Sequence, residues 1–229
     1  MNLKSLYAII HKGDIVFSVI FDMDGTLFDT QRICIPAWDW AGERQGFKNV
    51  GKHIPVICGM SDVGWQKHLK DNFPEMDVQK FSSEAREYVV KNLVVKYMPG
   101  AEELVKFFRE KGVKLAIASG SSQGSIKHHL AEVGGTQYFD AIVGGADVKN
   151  GKPAPDIFLL AAEKLGAEPK DCYVLEDSPN GIRAGHAAGM RVIGIPDIAQ
   201  LSDELKALET AEFKSMYEVL DFFKQTVII

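Results

Sequence analysis

At 229 residues, with 46% apolar and 25% charged side chains, the chain is long enough to bury a substantial core, as one large domain or as a domain with an insertion. A net charge of −5 gives no general attraction for nucleic acid or an anionic membrane, so an anionic substrate must be drawn in by a local site. The three cysteines, Cys34, Cys58 and Cys172, are widely spaced with no C-x-x-C pair, which argues for a reducing compartment and against a disulfide framework or a zinc knuckle.

Residues 1–13 contain an apolar run too short for a signal peptide, and no span reaches transmembrane length, so a soluble, cytoplasmic protein is expected. This segment precedes the first strand as a short helix or an extra edge strand. Residues 16–21 then form an almost unbroken apolar run, the pattern of a parallel strand covered on both faces. It ends at Asp22, with Asp24 two residues on and Gly25 immediately after.

Helical spacing follows around residues 33–45, 64–72 and 84–95, punctuated by Pro36, Gly46, Gly51, Pro55, Gly59 and Pro74 and closed by Pro99 and Gly100. This reads as a small helical insertion. Beyond it helix and strand alternate. Ala101, Leu104, Val105 and Phe108 mark a helix stopped by Gly112; a strand over 113–118 ends at Ser119 and Gly120. A helix to about residue 134, a strand near 141–143, and a helix entered through Lys152 and ended by Gly166 come next. The strand at 173–175 ends at Glu176 and Asp177. Ser178 caps the following helix, with Pro179 at its first position and Gly189 past its end. A last strand at 192–195 leads through less regular sequence to a closing helix, where Ser215 and Glu218 have capping-box spacing. The alternation implies an α/β fold, a doubly wound, Rossmann-like parallel sheet; the expected division is a core of 1–30 and 97–229 and a helical cap of 31–96.

An isolated D-x-D-G is compatible with ordinary turn chemistry. It is also compatible with two carboxylates that ionise together only around a cation, for which magnesium, with its preference for oxygen ligands, is suited. Three further polar clusters at or just after strand ends favour the second reading: Ser119 with Gly120, Lys152, and Glu176 with Asp177. A phosphate monoester carries close to two negative charges, so an attacking carboxylate needs cations on both sides, here the metal and Lys152.

With these four motifs in order, the sequence resembles the haloacid dehalogenase superfamily over nearly all of residues 16–195, and the insertion resembles the helical cap of the subgroup containing β-phosphoglucomutase and many small-molecule phosphatases. The resemblance implies that Asp22 is the nucleophile, forming an aspartyl-phosphate, and that Asp24 is the acid and base for leaving group and water. It implies a Mg2+ ion held by Asp22, the backbone carbonyl of Asp24 and Asp177, with Glu176 in the outer shell. Ser119 and the Gly120 amide would bind phosphoryl oxygens, and Lys152 would balance their charge and orient Asp22. Dehalogenases and phosphonate hydrolases of the superfamily lack an acid at the position of Asp24, so phosphoryl transfer is expected here.

Cys34 stands where related mutases carry a histidine, and Asp62 where they carry an arginine for a second phosphate, so hydrolysis is favoured over mutase turnover. The expected activity is a phosphatase for a small phosphorylated metabolite such as a sugar phosphate, in a protein compatible with a monomer. The alternatives are a phosphosugar mutase and a phospho-aspartate signalling module without turnover. Trp38, Trp40 and Trp65 either line the substrate pocket or form the core of the insertion. His128, His129 and His186 read as surface or packing residues.

Overall fold

The structure is a computed structural model that describes residues 17–57, 62–199 and 201–226, with the side chains of Asp62 and Val63 undefined. Expectations for residues 1–13, for Cys58 and for Gly59, Met60 and Ser61 lie outside it. β1 (Ser18–Phe21) is followed by four helices, α1 (Cys34–Glu43), α2 (Ile54–Ile57), α3 (Asp62–Asn72) and α4 (Val78–Asn92). Then come α5 (Ala101–Glu110), β2 (Lys114–Ala118), α6 (Gln123–Glu132), β3 (Ala141–Val143), α7 (Asp156–Leu165), β4 (Cys172–Glu176), α8 (Pro179–Ala187), β5 (Arg191–Gly194), α9 (Asp203–Lys206), β6 (Ala211–Glu212) and α10 (Met216–Thr226).

The strands pair in parallel in the order β3-β2-β1-β4-β5-β6. The order reverses beside β1, between β1 and β4, and such a switch point opens a crevice at the carboxyl ends of the strands. Phe21 pairs with Ile117 on one side and Leu175 on the other, so the chain leaves β1, β2 and β4 at the same edge. That register brings Asp22, Ser119, Glu176 and Asp177 together.

The two faces of the sheet are packed differently because side chains alternate along each strand. Val19, Phe21, Leu115, Ile117, Tyr173 and Leu175 point to one face, where α5 and α10 contribute Phe108 and Phe223, whose rings lie 4.9 Å apart. Ile20, Ala116, Ala118, Cys172 and Val174 point to the other, against Ile157, Phe158, Ala161 and Ala162 of α7 and Ala184 of α8. Alanines on both sides of this second layer let the helices approach the strands closely.

The four inserted helices have a core of their own, built on Trp38, Leu69, Met76 and Phe81. α4 starts six residues before the expected 84, because the side chain of Asp77 accepts a hydrogen bond from the Lys80 amide and caps the helix there. It also stops before 95. Leu93 is extended, and the chain returns to the core as Asp29 N–H bonds Lys96 O and Met98 N–H bonds Leu27 O. Arg32, which donates to Asp29 and to Asp197 in the loop after β5, ties the start of the insertion to the sheet.

The two-residue β6 was not foreseen, being too short for a periodic signal. The expected capping box is shifted: Ser215 Oγ accepts from Glu218 N–H, but Glu218 accepts from Lys214 N–H rather than from Ser215. Among the described residues no helix is long and apolar enough to cross a membrane.

At the far edge of the sheet both carboxylate oxygens of Glu209 are buried against Gly194 without a hydrogen-bond partner among the described residues. Burial, helped by the charge on Glu212 and opposed by Lys206, pushes its pKa up from 4.5 to about 7. The folded chain then keeps a proton the unfolded chain has lost, so stability falls as pH rises from 4.5 to about 7. Glu209→Gln is expected to flatten that slope and to stabilise the protein at pH 8 by about 1 kcal/mol after allowance for screening of a half-buried group. Urea melts at pH 5 and pH 8 measure this, and an unchanged slope in the variant would contradict it.

Candidate active site

The first turn after β1 is shaped by Gly25, whose φ of +84° places it in the left-handed region. A side chain there would also run into Gln31 and the Asp177 carboxylate. The loop folds back as Gly25 N–H bonds Phe28 O, turning the Asp24 carbonyl toward Gln31 and its carboxylate toward Ser119 and Ser121.

Asp22 is 7% exposed and is anchored to β4 by its amide, which donates to Leu175 O at 3.0 Å. Lys152 Nζ donates to Asp22 Oδ1 and to Glu176 Oε1, each at 2.6 Å, and lies 4.6 Å from the centre of the Phe158 ring. The second oxygen of Glu176 accepts from Asp177 N–H, Ser178 N–H and Ser178 Oγ at 2.8 to 3.0 Å. This carboxylate sits at the N-terminus of α8, so close that any side chain in place of Gly181 would overlap it. Glu176 is therefore both the counter-charge of Lys152 and the clamp that sets the Asp177 loop.

Asp177, wholly buried, accepts from Thr26 Oγ1 and from Gln31 Nε2, both at 3.0 Å. The same Gln31 nitrogen donates to the Asp24 carbonyl at 2.5 Å. Asp24 accepts from Thr30 Oγ1 at 2.6 Å, Ser121 Oγ at 3.0 Å and Ser119 Oγ at 3.4 Å. Gly120 is exposed at the mouth of the site.

Three buried carboxylates, Asp22, Glu176 and Asp177, present oxygens within 4.8 Å of one another, against one lysine. Burial pushes Asp22 up to about 8, against the pull of Lys152, and raises Asp177 well above the carboxylate range, with Glu176 and Asp22 adding to it. Lys152 loses charge stability to burial, but Asp22 and Glu176 more than restore it and hold the ammonium above the ordinary lysine range. Such a cluster lacks positive charge, and this is what a divalent cation supplies. The donor set fits one. The Asp24 carbonyl and an Asp177 oxygen already converge on a single electropositive atom, the Gln31 amide nitrogen, beside Asp22.

Every residue singled out from the four motifs thus lies at this edge of the sheet. Ser121, Thr30 and Gln31, which hold the two loop carboxylates, were missed. Their polar types are ordinary in turns, and only the folded chain brings them to Asp24. His128 and His186 are exposed, and His129 packs on Phe28, as surface or packing residues would.

Beneath the inserted helices a cavity of about 360 Å³ is walled by Trp38, Trp65 and Phe81. Gln31 and Cys34 line it on the side of the carboxylates, and the Cys34 thiol is pushed up to about 11 by burial and by the charge on Asp24. Trp38 both packs in the insertion's core and lines this cavity, whereas Trp40 packs at a tilt against Tyr88 and beneath the Arg44 guanidinium and is not part of the cavity wall.

A doubly wound sheet with a helical cap over an aspartate, a lysine and paired acids is the architecture of a hydrolase family. The chain belongs to the haloacid dehalogenase-like hydrolases, whose family model matches residues 19–195. It is 36% identical over 191 residues to the bifunctional riboflavin kinase/FMN phosphatase of Arabidopsis thaliana, covering 79% of this chain and 48% of that one, so it spans about half the length of this relative. It is 32% identical over 219 residues to the phosphorylated carbohydrates phosphatase of Thermotoga maritima, covering 92% and 99%. A solved hydrolase of the family from Deinococcus radiodurans R1, with bound phosphate and sodium, superimposes with a TM-score of 0.78 at 26% identity over 93% of this chain and 97% of that one. The expected family and fold class are both borne out.

Proposed function

We propose that the protein is a magnesium-dependent phosphatase for a small phosphate monoester, working through an aspartyl-phosphate on Asp22. The observation that carries this reading is the bonding of Lys152 to both Asp22 and the buried Glu176 beside Asp177. Asp22, Asp177 and the Asp24 carbonyl would hold the ion, which when bound neutralises charge on the phosphoryl oxygens. Lys152 fixes one oxygen of Asp22 and leaves the other to attack phosphorus. As the ester P–O bond breaks, Asp24 gives its proton to the departing alcohol. It then takes a proton from water, whose oxygen attacks phosphorus, breaks the bond to Asp22 and releases inorganic phosphate. Ser119, Gly120 and Lys152 surround the position of the phosphoryl group, and Thr30 with Ser121 holds Asp24 for both transfers.

In this reading residues 31–96 act as the cap, and 1–30 with 97–229 as the core. Phosphatases for phosphorylated carbohydrates and for FMN are both among the relatives, which supports a small metabolite, a sugar phosphate being one such ester. Cys34, a thiol in the field of Asp24 and not a basic side chain, supports hydrolysis over mutase turnover. Asp62, the other position invoked, has no described side chain.

Asp24→Asn keeps the nucleophile but removes the base for the second step. Incubated with magnesium and a panel of phosphate esters, this variant is expected to accumulate one phosphoryl group per chain on Asp22, seen by intact mass. Failure of any ester to label it would count against the aspartyl-phosphate route. Conversion of β-glucose 1-phosphate to glucose 6-phosphate by the native protein, without phosphate release, would make it a mutase.

A further inference from the structure

We infer that the alcohol part of the substrate carries a flat heteroaromatic group, held in the cavity under the cap, rather than being a bare sugar. This rests on the hydrolase reading and narrows it. The cavity, about 360 Å³, is large enough for such a ring system and shares Gln31 and Cys34 with the surroundings of the carboxylates. Gln31 bonds Asp24 and Asp177 directly, so a ligand whose phosphate lies at Asp22 can extend past it under the cap.

The chemistry of the walls decides what can lie there. Trp38 is tilted 57° from Trp65 and stands at 86° to Phe81, and among the described residues Ile54, Ile57, Ala85 and Val89 add to a mainly apolar lining. A hexose presents hydroxyls in every direction, and those turned toward Ile54, Ile57, Phe81 and Val89 would lose water without gaining a partner. An aromatic ring needs none on its faces, and it gains from edge and face contact with the tryptophans.

The side shared with a neighbouring recess is different. Ser82 and Arg86, one turn apart on α4, also line a neighbouring recess of about 320 Å³ that includes Gln66, Gln79 and Ser83. Arg86 is exposed and is paired with no acid among the described residues. Its guanidinium and the Ser82 hydroxyl can donate to a ring nitrogen or carbonyl of a ligand in the cavity. Apolar walls with a few donors grouped on one side suit a heterocycle better than a sugar, whose hydroxyls face the apolar walls as well.

The test compares kcat/KM for phosphate release with magnesium from flavin mononucleotide, pyridoxal 5′-phosphate, and uridine and cytidine 5′-monophosphates against ribose 5-phosphate, glucose 6-phosphate and fructose 1-phosphate. A ring-bearing ester is expected to exceed every sugar phosphate by about 10-fold or more, the size of a stacking contribution. Trp65→Ala should erase that preference while Trp65→Phe keeps most of it, and Arg86→Ala should raise KM for the preferred ester more than it lowers kcat. A sugar phosphate as best substrate, with a preference that Trp65→Ala does not move, would overturn the inference and leave the hydrolase standing.

Acetyl phosphate serves as a donor with no group to fill the cavity. If neither it nor any ester is hydrolysed, the hydrolase reading fails instead. The cavity is then still tested by calorimetric titration of the Asp22→Asn protein with riboflavin, pyridoxine and uridine against ribose. Binding of a ring compound, weakened by Trp65→Ala, supports the inference, and no binding of any of them overturns it.

Discussion

Asp22→Asn is expected to abolish phosphate release, by at least about 10³-fold in kcat, while leaving the fold intact. The amide has the size of the carboxylate, so a side chain 7% exposed is replaced without cavity or clash. Its oxygen can still accept from Lys152, and the backbone bond to Leu175 is unaffected. What disappears is the nucleophile, along with one of the three clustered carboxylates. Phosphate release at saturating ester, with a thermal melt on the same preparation, separates these effects. A folded variant with more than a few per cent of native turnover would show that Asp22 is not the attacking group.

Lys152→Met is expected to cost both activity and stability. The native ammonium is the counter-charge of Asp22 and of Glu176, which has no solvent exposure. Methionine fills similar volume over Phe158 but leaves Glu176 as a buried charge without its cation. Removing one partner of a buried pair typically costs about 3–5 kcal/mol, which in a chain of this size is a fall in Tm of about 6–20 °C. Adding Glu176→Gln should recover part of that loss in urea melts, because it removes the stranded charge, but no activity. A Lys152→Met protein as stable as the native one would mean that water or Ser178 already satisfies Glu176.

Much of the site was legible in the chain. Each of Asp22, Ser119 and Glu176–Asp177 directly follows a short, largely apolar run with the pattern of a buried strand, and strands of a parallel sheet end at one edge. Lys152 lies farther from a strand, and the motif order identified it. Gln31 and Ser121 were illegible for a physical reason. A glutamine or serine in a turn has no distinguishing spacing, and their importance comes from a loop that folds back to put Asp24 between them. The start of α4 was missed although Asp77 is a good cap, because apolar spacing alone marked the helix.

The sequence by itself determined the alternation of strand and helix, the acids and lysine of the site, and the family. These depend on short-range patterns, namely buried strands, caps and glycine turns, that act within a few residues. Only the tertiary structure decided how charge is shared at the site and what the cap encloses. Lys152 reaches Glu176 across the sheet edge, and Trp38, Trp65 and Phe81 meet around a cavity from three separate helices. Contacts between residues so distant in the chain are set by packing, and packing leaves no periodic trace in the sequence.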